Sequence, residues 1–450
     1  MRFVGGQSPE LRIRGNFTLQ NIGNGELKFV DVVLPNEKVF GRRNLRVQLD
    51  GRDATLSQLP EEYQHDAPNT LRMALEPAWE QKQKRELVIE YTLSSPEDSG
   101  ARITIAESGF HLGFRGWFSV LQPPKHVLAP FPKRPDKTIM AIRVPQDFLV
   151  LSRGTPAGQK QEGGDVEHRF LLRQDDLAPY VVAGRYTQSF PRGKSNYAIF
   201  WTLAPLREDP TAAGDRIAAA WNVLQTDFGP LDRNIRVPRV VECADLRAHI
   251  VGEEGPAAAS FPGGALVNSE ALALGISTEV FLERVTHALA HNWFGNELYP
   301  TSDASIGMGE GLPDYATIVI DEARNGGAAR QQRVSGLLRA YDIALKQAAE
   351  KPLGVTTMLD SPEQRRIAQA KAPLFFIALE DLYGEAPVRA GLNRMVTLLR
   401  GREVGYDDLR AALEESTGKN LAELFRIWLY GEGIPKDFRE RYETANEMQP

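Results

Sequence analysis

The chain has 450 residues, 42% of them hydrophobic and 25% charged, which is typical of a globular protein with about two to three domains. Its formal net charge is -6 with both signs interspersed, so the composition does not indicate nucleic-acid binding. No apolar run of about eighteen residues indicates a membrane span, and a single cysteine excludes an internal disulfide. The oligomeric state stays open. So does the compartment, since a soluble cytoplasmic protein and an exported one whose signal peptide has been removed both fit.

The first half of the chain is predicted to form antiparallel β-sheets. Short runs rich in β-branched and aromatic residues are separated by clusters of Pro, Gly, Asn and Asp, and no strong helix pattern precedes residue 210. The clearest predicted strands are 27–34, 86–93, 138–144 and 168–172. We therefore expect a β-rich N-terminal domain, a saddle or a sandwich, over residues 1–190.

The pattern becomes mixed and then helical after about residue 190. We expect an α/β domain with a helical C-terminal part over residues 191–440, followed by a short tail at 441–450. Together with the β-rich first half, this makes the chain a multidomain α+β protein. The elements predicted after residue 190 are strands at 196–203 and 239–242, a helix that opens at Pro210, a helix that begins near Ser277 with Ser277 or Thr278 as its cap, and helices at 331–350, 372–382, 387–399, 406–417 and 421–429.

The most informative stretch of the chain is the helix that contains His287 and His291. Residues four apart lie on one face of a helix, so the two imidazoles can converge on one metal ion. Eighteen residues separate His291 from Glu310, enough to finish the helix, cross a loop and return along a second helix. Two imidazoles and one carboxylate with an open fourth position form the ligand set of a catalytic zinc ion. We therefore predict one Zn²⁺ per chain.

The residue after the first histidine departs from this pattern. A hydrolase with such a site has a glutamate there, which takes a proton from the metal-bound water. This chain has Ala288 instead, and a methyl group has no proton chemistry. The sequence therefore predicts a metal site without its expected general base.

Two sequence strings resemble those of the membrane alanyl aminopeptidase family of gluzincin metallopeptidases. They are His-x-x-x-His-Asn-Trp-Phe-Gly-Asn at 287–296 and Gly-Glu-Gly-Leu-Pro-Asp-Tyr-Ala at 309–316. The stretch 261–268 is similar to the family's Gly-Ala-Met-Glu-Asn strand, Lys371 with Ala372 to the start of its Tyr-x-Lys-Gly helix, and Trp428 with 431–435 to the end of its catalytic domain. The resemblance implies a saddle-shaped β domain, a thermolysin-like domain and peptide ligands.

The same resemblance assigns roles to particular residues of this chain. The implied metal ligands are His287, His291 and Glu310. The implied substrate-binding strand consists of Gly264, Ala265, Leu266, Val267 and Asn268. Three catalytic groups of the family are replaced: the general-base Glu by Ala288, the Glu that holds the substrate's α-amine by Val267, and the Tyr that stabilises the oxyanion by Gln369.

The first functional hypothesis is a zinc-binding, aminopeptidase-like protein with little or no peptidase activity. Positioned acid–base catalysis contributes about 10²–10⁴-fold, and Ala288 cannot supply it. Such a protein would bind a peptide or a partner protein in the cleft between its two domains. The ligand would lie between strand 264–268 and helix 278–293 and pair with the strand main chain to main chain, a mode that needs no catalytic glutamate.

Two alternatives stay open. The chain could be an active metallopeptidase whose base has been replaced or is supplied by another carboxylate, for which Glu283, Glu297 and Asp303 are candidates. Glu283 more simply belongs to a solvated helix face or an ion pair. Asp314 and Tyr315, which follow the ligand Glu310, are expected to pack or to support the site. The third hypothesis is a purely structural relative that binds no zinc.

Overall fold

The computed structural model describes residues 1–64, 69–95, 103–113, 116–122, 137–173, 179–192, 197–231, 237–243, 246 and 257–447. The chain forms two compact units. Unit 1 contains residues 1–187, 202–204 and 242–257, and unit 2 contains residues 188–201, 205–241 and 258–450. The main change of unit thus falls close to the predicted boundary at 190. Residues 202–204 and 242–257 also belong to unit 1, so a single boundary does not describe how the chain is divided.

The described residues of unit 1 form three β-sheets, in agreement with the predicted β-rich N-terminal part. The sheets have the strand orders β14-β15-β12-β1-β2-β8-β4-β5, β13-β16-β10-β9 and β11-β3-β7-β6, in which the strands are β1 (Arg2–Val4), β2 (Glu10–Gln20), β3 (Leu27–Val33), β4 (Arg43–Leu49), β5 (Arg52–Asp53), β6 (Leu56–Gln58), β7 (Thr70–Trp79), β8 (Lys84–Leu93), β9 (Ile103–Ala106), β10 (Gly109–Leu112), β11 (Val120–Gln122), β12 (Lys137–Pro145), β13 (Leu149–Ser152), β14 (Thr155–Glu162), β15 (Asp165–Arg173) and β16 (Val181–Gly184). Two short helices, α1 (Glu37–Phe40) and α2 (Glu61–Gln64), interrupt the strands.

In the strands of unit 1, buried side chains alternate with more exposed ones. In β8, Leu87, Ile89 and Leu93 are fully buried, whereas Glu86 faces solvent. Successive side chains of a strand point to opposite faces, so this alternation lets one face of the sheet cover a core. Each fully buried aliphatic side chain contributes about 1.5–3 kcal/mol. The predicted β-rich N-terminal part and the α+β class are therefore confirmed.

Unit 2 combines a five-stranded sheet with helices that pack around it. The sheet has the order β17-β18-β19-β21-β20, with strands β17 (Thr187–Ser189), β18 (Ile199–Thr202), β19 (Arg239–Glu242), β20 (Ala258–Phe261) and β21 (Gly264–Val267). The helices are α3 (Thr211–Phe228), α4 (Ser269–Ala273), α5 (Glu279–Ala290), α6 (Gly311–Asn325), α7 (Gly327–Leu345), α8 (Pro362–Tyr383), α9 (Glu385–Leu399), α10 (Tyr406–Thr417), α11 (Ala422–Tyr430) and α12 (Lys436–Glu447), and strands β22 (Tyr299–Pro300) and β23 (Glu403–Val404) form a small parallel pair.

The end of the chain differs from the predicted tail at 441–450. Helix α12 continues to Glu447, and Tyr442 is buried in the core of unit 2. The carbonyl of Tyr442 accepts hydrogen bonds at 3.1 Å from both Gln331 Nε2 and Ser335 Oγ. The polar composition of this segment suggested a tail, but Phe438 and Tyr442, one helical turn apart, are both buried in the core.

Among the described residues, no helix is both long and apolar enough to cross a bilayer.

Candidate metal centre

Helix α5 carries the two histidines on one of its faces. The helix begins after Thr278, whose hydroxyl accepts a hydrogen bond at 3.3 Å from the Phe281 backbone N–H and so caps the first turn. The opposite face packs into the core through a buried apolar stripe of Phe281, Leu282, Val285, Ala288 and Leu289. Because the stripe fixes the rotation of the helix, His287 and His291 point together away from the core.

The carboxylate partner comes from the N-terminal boundary of α6. The loop that follows α5 is anchored by Ala304, Ile306 and Met308, all buried, and the Glu310 backbone N–H donates to the Ile306 carbonyl at 3.1 Å. Glu310 is the last residue before α6, whose first helical residue is Gly311. The loop therefore returns Glu310 to the histidines, as the spacing of eighteen residues suggested.

Three ligand atoms converge on one point. The Nε2 atoms of His287 and His291 are 3.1 Å apart, and each lies 3.5 Å from Oε2 of Glu310. A triangle with these sides has a circumradius of about 2 Å, close to the Zn–N and Zn–O bond lengths of about 2.0–2.2 Å. The donor set and its spacing thus fit a zinc ion. This cluster is the one group of three or more potential ligands within reach of a single ion that the described part of the chain contains.

Each imidazole is oriented by a second contact. Nδ1 of His287 lies 2.8 Å from Oδ1 of Asp314, one turn after Glu310 on α6. Nδ1 of His291 lies 3.3 Å from the carbonyl oxygen of Phe294. When Nδ1 donates to these oxygens, the Nε2 lone pair of each ring faces the shared point, which is how metal-binding histidines are usually held. Asp314 is therefore placed to orient His287, the supporting position that the sequence analysis considered for it.

The electrostatics of the cluster favour a cation at the shared point. Burial lowers the pKa of His287, but the carboxylates of Asp314 and Glu310 outweigh that effect and raise it to about 10. Burial likewise raises the pKa of the Glu310 carboxyl, but the two imidazoles beside it hold that pKa well below its usual range. A positive charge is thus stabilised between these groups. A metal ion that binds there takes the place of a proton on His287.

The residues after His291 fasten the helix end to the sheet. The Asn292 side chain accepts a hydrogen bond from the Gly263 N–H at 2.7 Å and donates to the carbonyls of Gly264 and Leu289 at 3.1 and 3.0 Å. The Trp293 indole donates to the Gly229 carbonyl at 2.7 Å. The polar and aromatic residues of this motif therefore fix the position of the histidines relative to the β20–β21 turn.

The position at which the general base is expected is buried. Ala288 is 1% exposed and belongs to the apolar stripe of α5. The proposed substitutes are engaged elsewhere: Glu283 pairs with Arg333 at 2.5 Å, Glu297 is buried against Arg400, and Asp303 accepts hydrogen bonds from Thr301 Oγ1 and the Ala304 N–H. None of the three carboxylates joins the ligand cluster.

The predicted substrate-binding strand needs correction. Strand β21, which contains Gly264, Ala265, Leu266 and Val267, lies between β19 and β20. Both of its edges are therefore paired, and no peptide can add to it. All four residues are buried, Val267 completely, and Asn268 caps α4 by accepting a hydrogen bond from the Ala271 N–H. In the described part of this sheet, the terminal strand on this side is β20, which pairs antiparallel with β21.

Gln369 lies on α8 and lines an open hollow of about 510 Å³ together with Asp314. Lys371 follows it in the middle of α8, so the expectation that Lys371 marks the start of a helix is wrong. Lys371 is completely buried and donates to Glu350 Oε1 at 2.7 Å and to the Gly431 carbonyl at 2.8 Å. Its role is therefore to hold α8 against the segment before α12.

A buried ionic cluster next to the site was not predicted. Glu380 of α8 accepts hydrogen bonds from Tyr315 at 2.6 Å, Arg330 at 2.6 Å and Arg389 at 2.8 Å. Its carboxylate is completely buried. Tyr315 lies five residues after Glu310, so this cluster ties the ligand-bearing helix to α7, α8 and α9. Since these residues are far apart in sequence, no local motif could have identified them.

Comparisons with known proteins place this geometry in context. Residues 266–428 match the model of the peptidase family M1 domain. Aminopeptidase N of Lactobacillus delbrueckii subsp. lactis is 23% identical over 164 residues, which is 34% of this chain and 18% of that relative. The match thus spans less than a fifth of the curated relative.

Solved structures resemble the chain over almost its full length. The M1 zinc metallopeptidase of Deinococcus radiodurans is 18% identical with a TM-score of 0.63, and the likeness covers 97% of this chain and 93% of that one. A glutamate-to-alanine variant of that enzyme, bound to a Tyr-Ser-Ala substrate, is 19% identical with a TM-score of 0.64 and the same coverage. At this level of identity, the likeness establishes a shared fold.

Proposed function

We propose that this chain, whose residues 266–428 match the peptidase family M1 domain, is a zinc-binding peptide receptor with little or no peptidase activity. The observation that carries this proposal is the contrast between a complete ligand cluster and a closed base position. His287, His291 and Glu310 surround one point, whereas Ala288 beside them is buried in the core. The chain therefore has the means to hold zinc and lacks the group that would remove a proton.

We propose that one zinc ion per chain is held by His287, His291 and Glu310, with Asp314 and the Phe294 carbonyl orienting the rings. When bound, zinc supplies a Lewis acid that can take up a water molecule or a peptide carbonyl oxygen. In the absence of a general base, the groups that remain favour binding of a peptide over its hydrolysis.

The proposed peptide site lies along β20. This strand ends its sheet on one side within the described residues, and extended peptides bind such strands by main-chain pairing. Helix α5 is tied to the β20–β21 turn through Asn292, so β20 runs close to the histidines. The relative that is solved with a Tyr-Ser-Ala substrate as a glutamate-to-alanine variant supports peptide binding by this fold.

The alternative is an active peptidase that has lost its base by substitution or uses another one. Its support is that the ligand cluster is complete and includes the Asp314 contact, as an active zinc site would need. This alternative predicts that a glutamate at position 288 restores chemistry, by about 10²–10⁴-fold.

The test is to measure peptide hydrolysis and peptide binding on the zinc-loaded chain and on Ala288→Glu. We expect the unaltered chain to bind an unlabelled peptide library without cleaving it, and Ala288→Glu to remain inactive because Val267 and Gln369 also lack the family's groups. Ala288→Gln is the matched control, since it adds the same bulk to the buried position without a base. Turnover by the unaltered chain, or recovery only in Ala288→Glu, would favour the peptidase.

A further inference from the structure

The hollow beside the ligand cluster has its own chemistry. Its about 510 Å³ lies among α6, α7 and α8, within the range of about 300–1,000 Å³ that is usual for ligand sites. Asp314 lines it and also contacts His287 at 2.8 Å. The hollow is therefore lined by the carboxylate that contacts Nδ1 of His287, a proposed metal ligand.

One wall of the hollow is apolar and comes from α7. Leu337, Ala340 and Ala344 lie at helical spacing on one face, and Ile343 beside them is 57% exposed. An isoleucine that leaves this much surface in water is available to an apolar ligand group. This wall thus suits a hydrophobic side chain.

The hollow is also lined by polar groups that have no hydrogen-bond or ion-pair partner among the described residues. The side chains of Arg366 and Gln369 on α8, and of Gln347 after α7, make no hydrogen bond or ion pair with any residue in the described ranges. The carboxylate of Asp314, in contrast, is engaged by His287. The hollow therefore contains one cation, Arg366, that no carboxylate in the described ranges pairs with, and two amide groups that also line it.

A cation selects the opposite end of a peptide from the one that an aminopeptidase holds. An α-ammonium group needs an anion, and Val267, at the position that the sequence resemblance assigned to that anion, is buried and apolar. A guanidinium group binds a carboxylate through paired, charge-assisted hydrogen bonds. Since Arg366 has no internal carboxylate to neutralise it, a ligand can supply one.

We propose that this hollow binds the C-terminal carboxylate of a peptide, with Arg366 as its cation and the Leu337–Ile343 wall receiving an apolar terminal side chain. This inference rests on the proposed peptide-binding function and adds the end of the peptide that is recognised. Gln369 and Gln347 donate their amide N–H groups to the same carboxylate or to the last peptide carbonyl. The chain would therefore recognise peptides by their C-termini.

The test compares two probes on the zinc-loaded, full-length chain by calorimetry. The probes are N-acetyl-Ala-Ala-Phe-Leu with a free carboxylate and the same peptide with a C-terminal amide. We expect the amide to bind about tenfold or more weakly, the effect of losing a charge-assisted hydrogen bond. Arg366→Gln should weaken the acid by a similar factor and leave the amide unchanged. Ile343→Ala should weaken both probes by a few-fold.

Two matched controls separate these effects from general changes. Arg339→Gln removes an exposed, unpaired arginine of α7 that does not line the hollow, and Leu398→Ala removes an exposed apolar side chain of α9. Neither should alter binding of either probe. A melting curve checks that Arg366→Gln remains folded, which we expect because its side chain makes no internal contact that folding needs.

The outcomes distinguish the two proposals. If both probes bind equally well and Arg366→Gln has no effect, the proposed recognition of the C-terminal carboxylate is wrong, whereas the proposed peptide-binding function is not contradicted. If neither probe nor the wider peptide library binds to the zinc-loaded chain, the receptor function fails and this inference fails with it. If the amide binds more weakly than the acid but Arg366→Gln does not weaken binding of the acid, the carboxylate is bound elsewhere and the proposal is also wrong.

Discussion

Two adjacent residues of α5, His287 and Ala288, have opposite surroundings. His287 faces a carboxylate on each side, Asp314 at Nδ1 and Glu310 at Nε2, whereas Ala288 lies in a packed apolar stripe. The histidine face thus has three potential metal ligands and the contacts that would orient them, while the position expected for the general base has the environment of a core residue. Metal binding and proton transfer are therefore separable properties of one helix, and the two can be tested independently.

Removal of a ligand is expected to have the largest effect. His287→Ala leaves two donors at the cluster, so zinc affinity should fall by more than the about 10–100-fold that loss of an orienting partner costs. We expect about one zinc per chain in the unaltered protein and almost none in the variant, by elemental mass spectrometry after dialysis. His168→Ala on β15 is the control and should retain its zinc. If both samples contain no zinc, the purely structural hypothesis holds instead.

Loss of the buried carboxylate behind the site should mainly affect stability. Glu380→Ala removes the completely buried carboxylate that Arg330 and Arg389 share, although Arg330 keeps Asp381 and Arg389 keeps Asp227 as partners. We expect the loss of these buried hydrogen bonds to lower the free energy of unfolding by about 1–3 kcal/mol. Urea unfolding should show this loss, and zinc content of the folded fraction should change little.

Glu385→Ala is the matched control for this cluster, because Glu385 contacts the same two arginines from a half-exposed position. Exposed pairs contribute about 0–1 kcal/mol, so its unfolding free energy should be nearly unchanged. Equal losses in the two variants would mean that burial of Glu380 is not what makes the cluster important.

These features also separate what the sequence could predict from what it could not. The histidine pair, Glu310 and the supporting Asp314 are fixed by helical periodicity and a short loop, so local spacing was enough to find them. The order of strands in the sheet is a property of the whole chain, and for that reason β21 was mistaken for a strand with a free edge. Helix α8 begins at Pro362, ten residues before the predicted start at residue 372. Ser361 caps its first turn, and Pro373 lies within the helix without ending it.

Loss of the orienting carboxylate should have an intermediate effect on zinc. Asp314→Ala removes the acceptor at 2.8 Å from His287 Nδ1, and such losses weaken metal binding by about 10–100-fold. A competition assay with a chromophoric chelator measures this affinity. Asp314→Asn keeps an oxygen acceptor and should lose less.

Asp321→Ala serves as the control on the same helix, because Asp321 pairs with Arg333 rather than with a histidine. Its zinc affinity should match that of the unaltered chain. An unchanged affinity in Asp314→Ala would show that Glu310 and the helix geometry alone orient the ring.

The smallest effect is expected at Glu283, the carboxylate one turn before His287. Its partner Arg333 is 2.5 Å away and both side chains are at least one-third exposed, so Glu283→Gln should cost no more than about 1 kcal/mol in urea unfolding. Zinc content should not change, because Glu283 does not belong to the ligand cluster. Hydrolysis, assayed at high protein concentration in the unaltered chain and in Ala288→Glu, should be the same with and without Glu283→Gln. A tenfold or greater fall in either background would make Glu283 a substitute base. The contrast between the two faces of α5 would then no longer hold, because the histidine face would provide both the metal ligands and the proton acceptor.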